Sequence, residues 1–231
     1  MQIQGYQKLT LLDYPGRIAC TVFTGGCNLR CPFCHNGSLV RPADVAAGGV
    51  DREEFFAFLR KRQGTLEGVC VSGGEPLLQR DLEPFLREIR ALGYAVKLDT
   101  NGSFPDRLKS LVGQGLVDYV AMDIKNTLAK YGETVGIPGY DTAPIEESVA
   151  FLMSGAVAYE FRTTVVKEFH TVGDFALIGA WLQGAEHYYL QHFVDSGDLL
   201  QPGLHGLDKA DMEAAAAAVR PFIPTVAIRG I

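Results

Sequence analysis

Three of the chain's five cysteines, Cys27, Cys31 and Cys34, fall within eight residues of the stretch "GGCNLRCPFCHNGS" (Gly25–Ser38). In a reducing compartment, cysteines this close suit a metal or catalysis better than a disulfide. At C-x3-C-x2-C spacing they can face one point only if the loop wraps around it. One reading is a structural zinc with His35 or another residue as fourth ligand. His35 directly follows Cys34, however, and adjacent side chains seldom converge on one tetrahedral ion. The remaining cysteines, Cys20 and Cys70, sit inside "IACTV" and "VCVS" and read as small, buried, apolar residues. Three ligands are therefore evident and a fourth is not. The other reading is a cubane iron–sulfur cluster held by three thiolates, which leaves one iron open for chemistry.

A loop with that job needs elements to hold it, and the chain alternates β-rich apolar runs with amphipathic stretches. Strands are predicted at Ile18–Gly26, Gly68–Gly74, Tyr94–Gly102, Asp118–Lys125, Tyr159–Val166 and Glu186–Phe193. Helices are predicted at Asp51–Gln63, Arg80–Gly93, Phe104–Gly115, Ala143–Gly155, Thr171–Gly184 and Leu207–Phe222, with a short β-like tail at Thr225–Gly230. Asp51 with Glu54 three residues on has the spacing of a capping box, and Pro144 suits a first helical turn. Strands alternating with helices imply right-handed βαβ units, a parallel sheet and helices outside. Six units are too few for a closed eight-fold barrel, so the expected fold is α/β, a partial (β/α)6 barrel with a lateral gap. Such folds place their chemistry beyond the C-terminal strand ends. The polar and special residues do cluster at strand exits: Gly25–Cys34, Gly73–Pro76, Asp99–Gly102, Asp123–Lys125, Lys167–His170 and Gln191–Asp195.

The 231 residues suit one domain spanning 1–231. With 47% apolar and 21% charged residues the composition is that of a globular protein with a full core. A net charge of −6 offers no basic excess for nucleic acid. No apolar run reaches the ~20 residues of a membrane span, and "MQIQGYQKLT" lacks a signal-peptide core. The expected location is the cytoplasm.

"CNLRCPFC" resembles the cluster loop of the radical S-adenosylmethionine (radical SAM) superfamily. The resemblance implies one [4Fe–4S] cluster on Cys27, Cys31 and Cys34, with the amino and carboxylate groups of S-adenosylmethionine on the fourth iron. It places Phe33, the aromatic before the last cysteine, near the adenine. "SGGEP" (Ser72–Pro76) matches the family's Gly-Gly-Glu motif. There Gly73 and Gly74 let the ligand approach the backbone and offer carbonyls to its ammonium, and Glu75 is the expected negative partner. "LDTNG" (Leu98–Gly102) and "MDIK" (Met122–Lys125) are similar to segments of glycyl-radical-enzyme activases, which implies that Asp99, Asn101, Asp123 and Lys125 line the cofactor pocket. Asp and Asn also cap strand ends in any fold. "LQHF" (Leu190–Phe193) falls where relatives set a residue against the adenosyl group, and His192 is the candidate.

The opening Gly5–Asn36 resembles the start of anaerobic ribonucleoside-triphosphate reductase activating proteins. That resemblance implies reductive cleavage of S-adenosylmethionine to methionine and a 5′-deoxyadenosyl radical. The radical would take hydrogen from a glycine of a partner enzyme, here an anaerobic (class III) ribonucleotide reductase. A low-potential flavodoxin or ferredoxin is the expected electron donor. Gly37–Val50 is short and has no cysteine, so no auxiliary cluster is expected. Two other readings stay open. One is a radical SAM enzyme on a small molecule, like 7-carboxy-7-deazaguanine synthase. The other is a zinc- or cluster-binding module without catalysis.

Overall fold

Eight strands form one sheet in sequential order, which a computed structural model describes for residues 1–41, 45 and 49–231. β1 (Ile3–Thr10) runs antiparallel to β2 (Ala19–Thr24). The strands β2, β3 (Gly68–Gly73), β4 (Ala95–Thr100), β5 (Tyr119–Asp123), β6 (Ala158–Val165), β7 (His187–His192) and β8 (Thr225–Arg229) are all parallel. The helices α1 (Arg52–Arg62), α2 (Leu82–Ala91), α3 (Pro105–Gly113), α4 (Ala143–Met153), α5 (Val172–Trp181) and α6 (Lys209–Val219) connect them in turn. The sheet curls as a partial barrel and does not close, since β1 and β8 are its two unpaired edges.

The six β/α units lie where the apolar runs predict them, but the sheet is wider than expected. The tail at Thr225–Gly230 is a full strand paired to β7 from His187↔Thr225 to Gln191↔Arg229. β1 is absent from the sequence reading because "IQGYQKLT" lacks an apolar run. Its two ends are buried and its middle is half-exposed, as suits an edge strand. β1 also explains a missing capping box. Asp51 caps α1 by accepting from Glu53 N–H at 2.7 Å, whereas Glu54 turns to β1 and accepts from the Tyr6 hydroxyl at 3.3 Å. A capping box forms instead at Thr171 and Asp174, at the start of α5. The cysteine-free Gly37–Val50 stretch lies partly outside the described residues.

Strand alternation sorts the two faces of the sheet. Outward residues such as Cys20, Val22, Val69, Val71, Leu98, Val120, Phe161 and Leu190 join one apolar core with the helices. Inward residues are mostly polar, so the lumen is lined by charge. Near its lower end Glu160 takes both guanidinium nitrogens of Arg229 at 2.9 Å, and Arg229 stacks on Tyr189 at 3.4 Å. That layer forms a floor beneath the site. Cys70 is fully buried but belongs to this lumen, 3.8 Å from the Lys97 ammonium, so its surroundings are polar rather than apolar. Among the described residues no helix is long and apolar enough to cross a membrane.

Candidate active site

The loop after β2 is pinned from three directions. Arg30 N–H donates to Val135 C=O at 2.9 Å, Gln201 N–H to Pro32 C=O at 3.0 Å, and Gly37 N–H to Asp198 C=O at 2.8 Å. Asp198 also accepts from Ser38 N–H and Oγ, at 2.9 and 2.7 Å, and pairs with Arg41 at 2.7 Å. So held, Cys27, Cys31 and Cys34 edge one cavity of about 230 Å³ at the C-terminal mouth of the lumen. Burial pushes the Cys27 thiol up to about 11 and the Cys31 thiol up to about 12, and also raises Cys34. Such thiols reach the thiolate form by binding metal rather than by titration near neutrality. His35 packs on Phe193, with ring centres 5.2 Å apart, and also lines the cavity.

The next two strand exits are stitched to that loop. Gly73 has φ +124°, and any Cβ there would collide with the Thr24 backbone. A Cβ on Gly74 would collide with the Gly26 carbonyl. Gly74 N–H donates to Thr24 C=O at 2.9 Å and Glu75 N–H to Gly26 C=O at 2.8 Å. The Glu75 side chain is fully buried behind the cavity. Its Oε1 accepts from Leu77 N–H and Thr100 Oγ1, each at 2.9 Å, and its Oε2 from Asn101 N–H at 2.7 Å. Burial pushes its carboxyl up to about 7 against these three hydrogen bonds. Glu75, expected to be the negative partner of the cofactor's ammonium, has both oxygens engaged in joining the β3 exit to the β4 exit. Asn101 lines the cavity, and its Nδ2 donates to Asn28 Oδ1 at 2.9 Å with Cys27 Sγ at 3.8 Å.

The far wall is an ion-pair ladder. Asp99 meets Lys97 and, at 3.2 Å, Arg162; Arg162 Nε donates to Asp123 at 2.5 Å; Lys125 Nζ donates to Asp123 at 2.9 Å. Burial alone would raise the two aspartates, but Arg162, Lys97 and Lys125 hold both below the usual carboxylate range. Lys125 is held above the usual lysine value: burial opposes its charge, and Asp123 and the Cys31 side outweigh that. The Lys125 backbone is fixed from outside, where its carbonyl accepts from His170 Nε2 at 2.8 Å while Val166 N–H donates to His170 Nδ1.

A family model, the Radical SAM superfamily, matches residues 21–156, the span from β2 through α4. The chain belongs to the radical SAM superfamily. It is 31% identical over 199 residues to a provisionally named glycyl-radical enzyme activating enzyme of Methanocaldococcus jannaschii, covering 83% of this chain and 79% of that one. It is 30% identical over 208 residues to a 7-carboxy-7-deazaguanine synthase of Methanopyrus kandleri, covering 81% and 79%. The fold matches a radical SAM methyltransferase from Sphaerobacter thermophilus with a TM-score of 0.72 at 16% identity, over 96% of this chain and 68% of that one. The protein is thus an oxidoreductase-type enzyme of a family that uses a [4Fe–4S] cluster and S-adenosylmethionine.

The radical SAM pocket's donor set suits those groups. Four-coordinate zinc needs its ligands at about 2.0–2.3 Å from one point. Among the described residues no three His, Cys, Asp or Glu side chains converge so tightly on one ion. Three thiols spread around a cavity mouth fit a cluster, in which each binds a different iron. Phe33, packed on Phe169 at 5.7 Å between ring centres, lines the same cavity, as do Gly73, Gly74, Asp99, Asn101, Asp123 and Lys125. Glu75 and His192 do not. His192 points to the outer side of β7, where its Nε2 donates to Leu207 C=O at 2.9 Å. The neighbour before it, Gln191, faces the cavity. Sequence reading also misses Ser72, Arg162 and Thr164 in the lining. Period two along "YEFRTTVV" is the signal that could find them on β6: Glu160, Arg162 and Thr164 share one face.

Proposed function

We propose that this radical SAM enzyme is an activase that generates a glycyl radical on a partner enzyme, an anaerobic ribonucleotide reductase. The observation that carries this reading is the unclosed barrel. β1 and β8 leave the lumen open along one side, and the cavity of about 230 Å³ suits one cofactor. A second reactant as large as a protein loop can enter through that gap. The resemblance of Gly5–Asn36 to reductase-activating proteins and the similarity to the M. jannaschii protein over most of both chains support it.

Cys27, Cys31 and Cys34 would hold the cluster, and Gly73 and Gly74 let the cofactor lie against the backbone. When bound, the cluster and S-adenosylmethionine supply one-electron cleavage to a 5′-deoxyadenosyl radical. The chain's own contribution is position and exclusion of water. Phe33, Leu29 and Val40 give the cavity apolar walls. Asp99, Arg162 and Asp123 fix one another, so the charged wall is preorganised and needs no rearrangement when ligand arrives.

The test is electron paramagnetic resonance after anaerobic mixing of reconstituted protein, S-adenosylmethionine, dithionite and a class III reductase. A stable glycyl doublet on the reductase is expected. The similarity to the M. kandleri synthase favours a second reading, a small-molecule radical SAM enzyme. Absence of the doublet together with formation of 7-carboxy-7-deazaguanine in the matching synthase assay would replace the first reading by the second.

A further inference from the structure

Cys27 edges two cavities. One is the lumen pocket; the other is a groove of about 270 Å³ on the outside of the loop, lined by Gly26, Cys27, Arg30, Val40 and Leu78 among others. Leu78 is 39% exposed, a large apolar side chain standing on the turn after the Gly-Gly-Glu segment. Basic residues surround it. Arg30 donates to the carbonyls of Cys27 and Leu29, each at 2.7 Å, and Arg107 donates to the carbonyls of Leu77 and Gln79. Arg80 is exposed two residues beyond Leu78. Among the described residues none of these three arginines makes an ion pair with a carboxylate, while Asp81 beside them is held by the Met1 amine. On a chain of net charge −6 these are three arginines beside one exposed apolar side chain, with Arg30 lining the groove itself. The other partly exposed thiol, Cys34, edges the lumen pocket and not this groove.

We propose that this groove is where the electron enters: a small acidic one-electron carrier protein seats its cofactor edge over Leu78, beside these arginines, and delivers through Cys27. The inference rests on the three cysteines being cluster ligands. The lumen side of the cluster is kept for S-adenosylmethionine, so the reductant must approach from outside. Cys31 is buried, Cys34 edges the lumen pocket alone, and of the three thiols Cys27 also lines this groove, which joins an apolar centre to arginines. One electron leaves the reduced carrier, which is oxidised, and the cluster gains it; no bond is made or broken in the transfer.

The test measures binding of an acidic flavodoxin to the reconstituted protein by calorimetry, with an acidic [2Fe–2S] ferredoxin as a second probe. Arg80→Glu should weaken binding about tenfold at low salt, and the difference should shrink at about 0.5 M salt. Leu78→Asp should weaken it at both. Lys61→Glu, at the far end of the barrel in the last turn of α1, controls for net charge and should change binding little. In all three variants S-adenosylmethionine cleavage driven by dithionite, which needs no docking, should match the parent. Equal affinity for parent, Arg80→Glu and Leu78→Asp would overturn the proposal, as would an equal loss in Lys61→Glu. Failure of the parent itself to cleave with dithionite would instead refute the cluster assignment.

Discussion

The two walls of the pocket are built by different means. The near wall, from the exits of β2 and β3, is a wrapped loop and two glycines, held by backbone hydrogen bonds. The far wall, from β4 to β7, is single side chains pointing inward from strands: Asp99, Asp123, Arg162, Thr164 and Gln191. A wall of loop backbone demands particular residues in a row. A wall of inward side chains demands only one residue in two. Mutations should therefore separate the two walls, the near one failing wholly and the far one by degrees.

The largest effect belongs to the near wall. Cys31→Ala should abolish reductive cleavage of S-adenosylmethionine while circular dichroism stays that of the parent, and Cys20→Ala, in the apolar core, should cleave near normally. Retained cleavage in the first or its loss in the second would reassign the ligands. Next comes the centre of the far wall. Arg162→Ala leaves two buried carboxylates without their shared partner and should cost about 3–5 kcal/mol in denaturant unfolding. Arg162→Lys should recover part of that, and full stability in Arg162→Ala would show that the ladder is not the far wall's frame.

Glu75 joins the walls and should behave as a structural residue. Glu75→Gln sets an amide N–H2 or an unfilled acceptor against three donors, at a cost of about 1–3 kcal/mol. Its raised carboxyl gives a second signature. Between about pH 4.5 and pH 7 the native state binds a proton the unfolded chain has released, so stability should fall as pH rises. Glu75→Gln should flatten that slope; an unchanged slope would assign it to another group. The smallest effect compares neighbours on β7. Gln191→Ala should weaken equilibrium binding of S-adenosylmethionine by about three- to tenfold, the worth of one hydrogen bond. His192→Ala should leave that binding unchanged, and the opposite result would reverse the assigned facing.

The same contrast explains what is legible in the sequence. The six β/α units and the near wall can be read from it because glycines, cysteines and strand exits are consecutive. Glu75 can be found but not placed: its motif marks the turn, while three donors from Leu77, Thr100 and Asn101 decide where the carboxylate goes. Arg162 is marked only by the period-two alternation of β6, which is easily passed over because parallel strands are expected to be buried on both faces and this lumen is charged. His192, the expected residue, and Gln191, which lines the cavity, are one residue apart, which on a strand puts their side chains on opposite faces. β1 is hidden because an edge strand with a half-exposed middle carries no apolar run.

The stitching of the first three strand exits has a further result. Thr24 is bonded to Gly74, Gly26 to Glu75, and Glu75 to Asn101, so the chain from the cysteine loop to the β4 exit is one continuous seam. Nothing along it can shift alone. A loss of metal at Cys27 should then be felt as faster deuterium uptake at the amides of Gly74, Glu75 and Asn101, residues that touch no iron. The seam makes the maturation of the cluster readable by mass spectrometry from its far end.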